Sequence, residues 1–182
     1  MAQEEAKNMA VSNFITKVCS MERQIELKRQ ALCDRIDFEP YVVFQRLLRQ
    51  GNDGITSGNI TKFLSENLID VRLNDVRGIV SHYDTDKDGV LSYKEFLDIV
   101  LPKEHPDLRA FVTQRECFEI REFEYLSYET EAALAILLAL EVGVFEGAIF
   151  EKQELDRLVI SGQKIIQMID GDENGNINFN NI

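Results

Sequence analysis

The sequence of 182 residues predicts an all-α protein in which helix–loop–helix segments lie between two long helices. Apolar residues recur at helical spacing along most of the chain. Two long stretches, about 4–36 and 129–158, carry this spacing without a proline. Acidic or glycine-containing stretches interrupt the pattern between and after them, as loops between helices do.

The first element is a long helix over residues 4–36, within a predicted N-terminal region 1–37. A four-three spacing like a heptad seam, interrupted by Lys28, is formed by Phe14, Val18, Met21, Ile25 and Leu32. Such a narrow stripe suits packing along another helix or a partner rod, and docking onto the protein's own domain explains it equally well. Pro40 ends this helix, and a second apolar pattern begins after it.

The segment DTDKDGVLSYKE carries the clearest chemical signal in the chain. Aspartates at every second position repel one another and form a poor helix, so a cation must neutralise them. In a twelve-residue calcium loop, oxygen ligands come from positions 1, 3, 5, 7, 9 and 12, and glycine permits the turn at position 6. Those ligand positions hold Asp84, Asp86, Asp88, the carbonyl of Val90, Ser92 and Glu95, with Gly89 at the turn.

Amphipathic segments flank this loop, LNDVRGIVSHY before it and YKEFLDIVL after it. A loop with these ligands between two such helices resembles the EF-hand family. The resemblance implies Ca²⁺ as the bound ion, with Mg²⁺ as a competitor and an affinity on the order of micromolar. The alternative is an acidic surface turn that binds no ion.

Upstream, QGNDGITSGNITKFL has the outline of the same loop without its ligands. With Ile55 at position 8, position 1 is Leu48 and position 12 is Asn59, so we expect no calcium here. EF-hands bury their apolar faces in pairs. We therefore predict an EF-hand pair over residues 38–102, with a silent first hand, a calcium-binding second hand, and Ile55 facing Leu91.

Residues 103–160 are predicted to form a helical linker. Prolines at 102 and 106 break the pattern, a helix follows near Leu108–Phe118, and a long helix runs from about Glu129 to Leu158. Ser127 or Thr130 can cap the long helix. Its two glycines, Gly143 and Gly147, indicate a kink or a close helix approach, or are simply tolerated.

The segment 161–182 is predicted to be an incomplete second EF-hand unit, the start of a second pair. Its loop follows the ligand pattern through Asp170, Asp172 and Asn174, but position 12 is Asn181. An amide cannot supply the bidentate charged clamp, so we expect poor affinity for any ion.

An internal repeat accounts for this layout. Asp34-Arg35-Ile36 align with Asp156-Arg157-Leu158, and in the same register the silent loop aligns with the last loop and the two long helices with each other. The register predicts long helix, silent hand and binding hand, repeated. Because the repeat stops before the second binding hand, we expect the sequence to be an incomplete copy.

Composition excludes several classes of partner. A formal charge of −12 without an evident basic patch argues against nucleic acid and anionic membrane. Cys19, Cys33 and Cys117 are odd in number and indicate reduced thiols in a cytoplasmic protein. The start of the chain is not a secretory signal, and the apolar stretch Ala132–Leu140 is only half a membrane span.

The sequence favours a non-enzymatic calcium-binding structural or assembly protein. A calmodulin-like sensor that binds target helices is the alternative, but no methionine lies between residues 38 and 102 to line an adaptable groove. An enzyme has little support, because the two histidines, His82 and His105, fit no catalytic or metal spacing. We expect His82 on the surface of the incoming helix and Cys117 as a packed thiol.

A second resemblance concerns the run REFEYLSYETEAALAILLALE. It is similar to the connecting segment of multi-hand EF-hand proteins from ciliated protists, several of which are built into axonemal microtubules. The similarity covers roughly residues 104–160. It implies the cilium axoneme as a location, and tubulin or other axonemal proteins as partners.

Overall fold

The computed structural model describes residues 2–48, 53–119 and 125–158. Its seven helices in these ranges are α1 (Ala2–Cys33), α2 (Pro40–Leu48), α3 (Ser57–Glu66), α4 (Leu73–Tyr83), α5 (Tyr93–Val100), α6 (Pro106–Val112) and α7 (Tyr128–Leu158). One isolated antiparallel bridge joins Ile55 and Leu91. The all-α prediction is confirmed for the described residues. The predicted second unit at 161–182 lies outside them.

Residues Glu22–Phe145 form one compact unit, here called the inner unit. The outer parts of the two long helices, up to Met21 and from Glu146 onward, belong to a second unit. The inner unit contains all of α2 to α6, the end of α1 and the first half of α7. No helix in the described ranges is both long and apolar enough to cross a membrane.

Local capping explains where two of the short helices, α3 and α5, begin. Thr56 precedes α3, and its hydroxyl accepts a hydrogen bond from the backbone N–H of Asn59. The side-chain oxygen of Asn59 in turn accepts a hydrogen bond from the backbone N–H of Thr56. Ser92 and Glu95 form the same reciprocal pair at the start of α5. The two helix–loop–helix segments, α2–α3 and α4–α5, therefore share one capping pattern.

The long helix α7 begins as the sequence predicts. The hydroxyl of Ser127 accepts a hydrogen bond of 3.2 Å from the backbone N–H of Thr130, so Ser127 is the capping residue of the two candidates. A Cβ on Gly143 would meet no other described residue within 4 Å. Among the described residues, therefore, none makes a close helix approach at Gly143.

The helix expected near Leu108–Phe118 is shorter than predicted. It runs as α6 from Pro106 to Val112. The chain then turns so that the guanidinium of Arg115 donates to the carbonyl of Cys33, the last residue of α1, and to those of Arg35 and Phe38 in the turn after it. These long-range bonds replace the helical continuation that the local pattern favoured.

Cys117 follows this turn and is exposed, so the expectation of a packed thiol there is wrong. It lies in a stretch without regular structure, and no helix face carries it into the core. Cys33 is the buried cysteine, and burial raises the pKa of its thiol to about 12. His82 lies exposed on α4, as predicted.

The core of the inner unit is shared by both helix–loop–helix segments and α7. Its buried members from α7 are Leu134, Ala135, Leu137, Leu138 and Val142. These residues recur at helical spacing, so one face of α7 is buried against the rest of the inner unit. The stretch that the sequence indicated as a linker contributes directly to the core.

The end of α1 also packs into the core of the inner unit. Ile25 and Leu32 are fully buried there, which supports docking onto the protein's own domain for this part of the stripe. Lys28, which lies between them in the heptad pattern, is exposed. Its neighbour Arg29 is buried instead, with 1% of its surface exposed.

Candidate metal centre

Three aspartates of the second helix–loop–helix segment form the candidate metal centre. Asp84 is the residue directly after α4, and Asp86 and Asp88 follow it in the loop. One carboxylate oxygen from each lies within 4.8 Å of the other two. This separation allows a single cation to contact all three carboxylates.

Backbone N–H groups hold the first aspartate in place. The two carboxylate oxygens of Asp84 accept hydrogen bonds from the N–H of Asp88 at 3.2 Å and of Gly89 at 2.8 Å. Gly89 has a φ of 88°, in the region where an L side chain is strained. The glycine predicted for the sharp turn therefore meets a conformational requirement, and the loop folds back over the Asp84 carboxylate.

Glu95 reaches from α5 back to the beginning of the loop. Its Oε1 accepts hydrogen bonds from the backbone N–H of Thr85 at 2.6 Å and from the Thr85 hydroxyl at 2.7 Å. Its Oε2 accepts from the backbone N–H and hydroxyl of Ser92, at 2.9 and 2.8 Å. The last predicted ligand is thus held against Thr85, the residue that follows the first predicted ligand.

The electrostatics of the loop reflect this crowding of carboxylates. Hydrogen bonds from Thr85, followed by those from Ser92, lower the pKa of Glu95 to about 2 despite its burial. Partial desolvation and the charges of Asp88 and Glu95 raise the pKa of Asp86, against the lowering effect of an N–H from Asp88. The loop therefore concentrates negative charge that a bound cation would neutralise.

The remaining predicted ligands have defined places in the loop. Ser92 is the N-cap of α5, and its hydroxyl is committed to Glu95. The N–H of Val90 donates to the Asp88 carboxylate at 2.9 Å, so its carbonyl belongs to the same turn. The gathered group itself consists of Asp84, Asp86 and Asp88, and the ligand roles of Val90, Ser92 and Glu95 remain predictions.

Sequence reasoning missed the part played by Thr85. This residue supplies both bonds that fix one oxygen of Glu95 at the start of the loop. A hydroxyl-bearing residue directly after the first aspartate was the available signal, because only a donor at that place can meet a carboxylate arriving from the loop's end.

The loop between α2 and α3 carries a different side chain at the position that corresponds to Glu95. The side-chain amide of Asn59, at position 12, donates to the carbonyl of Leu48, at position 1, at 3.2 Å. A hydrogen bond from a neutral side-chain amide thus joins the two ends of this loop. Residues 49–52, which include the other predicted ligand places, lie outside the described residues.

The two loops lie side by side through backbone pairing. Ile55 and Leu91 exchange hydrogen bonds of 2.9 and 2.8 Å, as the predicted register requires. Gly54 precedes this bridge, and a Cβ there would lie 2.7 Å from a methyl carbon of Val90. The close approach of the loops therefore depends on a residue without a side chain.

Comparisons with protein-family models, with curated proteins and with solved structures found no match for this chain.

Proposed function

We propose that this protein is a non-enzymatic, calcium-binding structural protein of the EF-hand type, with one competent loop at Asp84–Glu95. The observation that carries this proposal is the gathering of the Asp84, Asp86 and Asp88 carboxylates within 4.8 Å of one another. Oxygen-only ligands of this kind suit a hard cation, Ca²⁺ or Mg²⁺, and not a thiolate-seeking metal.

The fit to Ca²⁺ rests on ligand number and flexibility. Glu95 faces the start of the loop, so three aspartates, a bidentate glutamate and a backbone carbonyl could supply the six to eight oxygens that Ca²⁺ prefers. Mg²⁺ demands a tighter octahedral shell and keeps more of its water. We therefore propose Ca²⁺ as the preferred ion and Mg²⁺ as a weaker competitor.

The first loop is proposed to serve as a structural mate for the second. Its position 12 holds Asn59 instead of a charged, bidentate glutamate. The neutral side-chain amide of Asn59 donates a hydrogen bond to the carbonyl of Leu48. Its Ile55 pairs with Leu91 of the competent loop. In this interpretation, residues 38–102 act as an EF-hand pair whose first hand supports the second without binding an ion.

The packing of α7 favours a structural role over a diffusible sensor. A sensor of the calmodulin kind exposes an apolar groove for target helices when it binds calcium. Here five apolar residues of α7 are already buried in the core that the two helix–loop–helix segments share. The chain's own helix therefore takes the place that a target helix would need.

Isothermal titration with Ca²⁺ tests the proposal. We expect one site with a dissociation constant on the order of micromolar, and loss of that site in Glu95→Gln. Asp98→Asn is the matched control, because Asp98 is an exposed residue of the same helix that pairs with Arg109. It removes the same charge and should leave the affinity nearly unchanged.

Two tight, equal sites would contradict this proposal, as would a wild-type protein that binds no Ca²⁺. A repeat of the titration with millimolar Mg²⁺ present measures the competition. We expect the apparent Ca²⁺ affinity to fall while the number of sites remains one.

We further propose that the long helices attach the protein to axonemal microtubules, through tubulin or other axonemal proteins. This part follows from the resemblance of residues 104–160 to connecting segments of ciliate EF-hand proteins. Its test is whether the protein remains with salt-washed axonemes. Retention after addition of a calcium chelator supports a structural role, whereas release by chelator and return with calcium supports the sensor.

A further inference from the structure

A buried polar network joins the two long helices to α4 and α5, the helices that flank the loop Asp84–Glu95. Arg29 of α1 lies at its centre. Its Nη2 donates to Glu141 of α7 at 2.6 Å and to the Tyr83 hydroxyl at 3.2 Å, and its Nε donates to the carbonyl of Ile99 at 2.8 Å. Both Arg29 and Glu141 are buried, with 1% and 8% of their side chains exposed.

The network reaches the loop from both ends. Tyr83 is the last residue of α4 and directly precedes Asp84, the first ligand position. Ile99 lies on α5 one helical turn beyond Glu95, the last ligand position. One guanidinium therefore fixes the incoming helix through a side chain and the outgoing helix through a backbone carbonyl.

Glu141 is the anchor that brings α7 into this arrangement. Its two oxygens lie 3.1 and 3.2 Å from the Tyr83 hydroxyl, in addition to the bond from Arg29. Without Glu141 the buried guanidinium keeps only its longer pair with Glu26, at 3.7 Å, so the three side chains of the network stabilise one another. The distance between the loop-side ends of α4 and α5 thus depends on the contact of Glu141 of α7 with Arg29 and Tyr83.

We propose that Arg29, Tyr83 and Glu141 are positioning residues for the loop Asp84–Glu95, which couple cation binding to the packing of the first half of α7 within the inner unit. This inference rests on the proposed function. The network holds the ends of the two helices next to Asp84 and Glu95, which lowers the ordering that a cation must impose on the loop. Because coupling between two equilibria is reciprocal, a bound cation stabilises α7 in its docked position by the same factor.

The test compares two Tyr→Phe variants that undergo the same chemical change. Tyr83→Phe keeps the ring and removes the hydroxyl that joins Arg29 to Glu141. Tyr128→Phe removes a hydroxyl from the start of α7, where the side chain is 83% exposed. Ca²⁺ affinity is measured by isothermal titration, and the exchange of backbone amides over residues 134–142 is measured with and without Ca²⁺.

We expect Tyr83→Phe to weaken Ca²⁺ binding by at least about fivefold, and Tyr128→Phe to bind as the wild type does. In the wild type, Ca²⁺ should slow amide exchange in α7, and Tyr83→Phe should lose most of this slowing. A general loss of stability would speed exchange in both conditions without removing the difference between them. Arg29→Lys keeps the positive charge but replaces the planar guanidinium, which bonds to three acceptors at once, by a single ammonium group. It should weaken Ca²⁺ binding as Tyr83→Phe does.

Wild-type affinity in a folded Tyr83→Phe protein would overturn the coupling while leaving the proposed calcium site intact. Faster exchange of α7 on addition of Ca²⁺ would overturn it as well, because the coupling would then have the opposite sign. If the wild type binds no Ca²⁺, the proposed function fails and this inference fails with it.

Discussion

Arg46 of α2 and Glu131 of α7 form a bidentate ion pair inside the core, with distances of 2.6 Å from Nε to Oε1 and 2.9 Å from Nη2 to Oε2. The guanidinium also lies over the rings of Phe63 and Tyr125, at 5.0 and 4.9 Å from their centroids. Together with the Arg29–Glu141 pair, it fixes the first half of α7 to the rest of the inner unit at two places.

Glu131→Gln should destabilise the fold by about 3 kcal/mol, because it leaves a buried guanidinium without its main counter-charge. Asp98→Asn is the control. It breaks a pair with Arg109 in which the two side chains are 37% (Arg109) and 56% (Asp98) exposed, and such surface pairs contribute at most about 1 kcal/mol. Urea denaturation measures both losses. Equal losses would show that burial of the Arg46 pair has no special effect.

Gly54→Ala should separate the two loops and destabilise the fold by about 1–3 kcal/mol, since its Cβ would lie 2.7 Å from Val90 and 2.9 Å from the carbonyl oxygen of Leu91. Gly58→Ala adds the same methyl group where the nearest described neighbour is the Thr56 hydroxyl oxygen at 3.5 Å. Because Gly58 lies in α3, the control should be neutral or slightly stabilising. Thermal melts distinguish the two outcomes, and an unchanged melting temperature in Gly54→Ala contradicts the close approach.

Gly89→Ala should cost about 1–3 kcal/mol, because an alanine would be strained at a φ of 88°. Lys87 has a φ of 62° in the same loop, so Lys87→Gly relieves strain while it increases the freedom of the unfolded chain. These effects oppose each other, and the net change should stay within about 0.5 kcal/mol. Chemical denaturation in the absence of divalent cations measures both free energies of unfolding. A greater loss of stability in Lys87→Gly than in Gly89→Ala would contradict this prediction.

The fold should lose stability in acid through Glu95 and Glu26. Hydrogen bonds from Thr85 lower the pKa of Glu95 from 4.5 to about 2. Burial alone would raise the pKa of Glu26, but N–H groups of Lys103 and Glu104 and the Gln30 amide outweigh it and lower that pKa. Depressed carboxylate pKa values stabilise the fold above the unfolded-state pKa, and this contribution is lost as the pH falls through the folded-state value.

Melting temperatures of the cation-free protein from pH 6 to pH 2 measure this effect. We expect the melting temperature to fall most steeply below pH 4.5, and the fall to be shallower in Glu95→Gln, where no proton is taken up at that site. Glu129→Gln, a change at an exposed residue of α7, should follow the wild-type curve. Parallel curves for the wild type and Glu95→Gln would show that Glu95 does not stabilise the fold through its charge.

The sequence by itself determined the features that depend on near neighbours. The spacing of Asp84, Asp86 and Asp88, the glycine at 89, and the start of α7 after Ser127 follow from local turn and cap chemistry, so they could be read residue by residue. The pairing of Ile55 with Leu91 was predictable too, because the loop positions of the two residues correspond.

Only the tertiary structure decided which charged side chains are buried. Periodicity marked Lys28 as the residue on the apolar seam, yet Arg29 is buried because Glu141, Tyr83 and the carbonyl of Ile99 converge on it from distant parts of the chain. The segment 103–160, interpreted as a linker, likewise packs into the core, where Glu131 and Glu141 pair with the buried arginines Arg46 and Arg29. A buried charge is tolerated only where its partners meet it, and in this fold those partners come from distant parts of the chain.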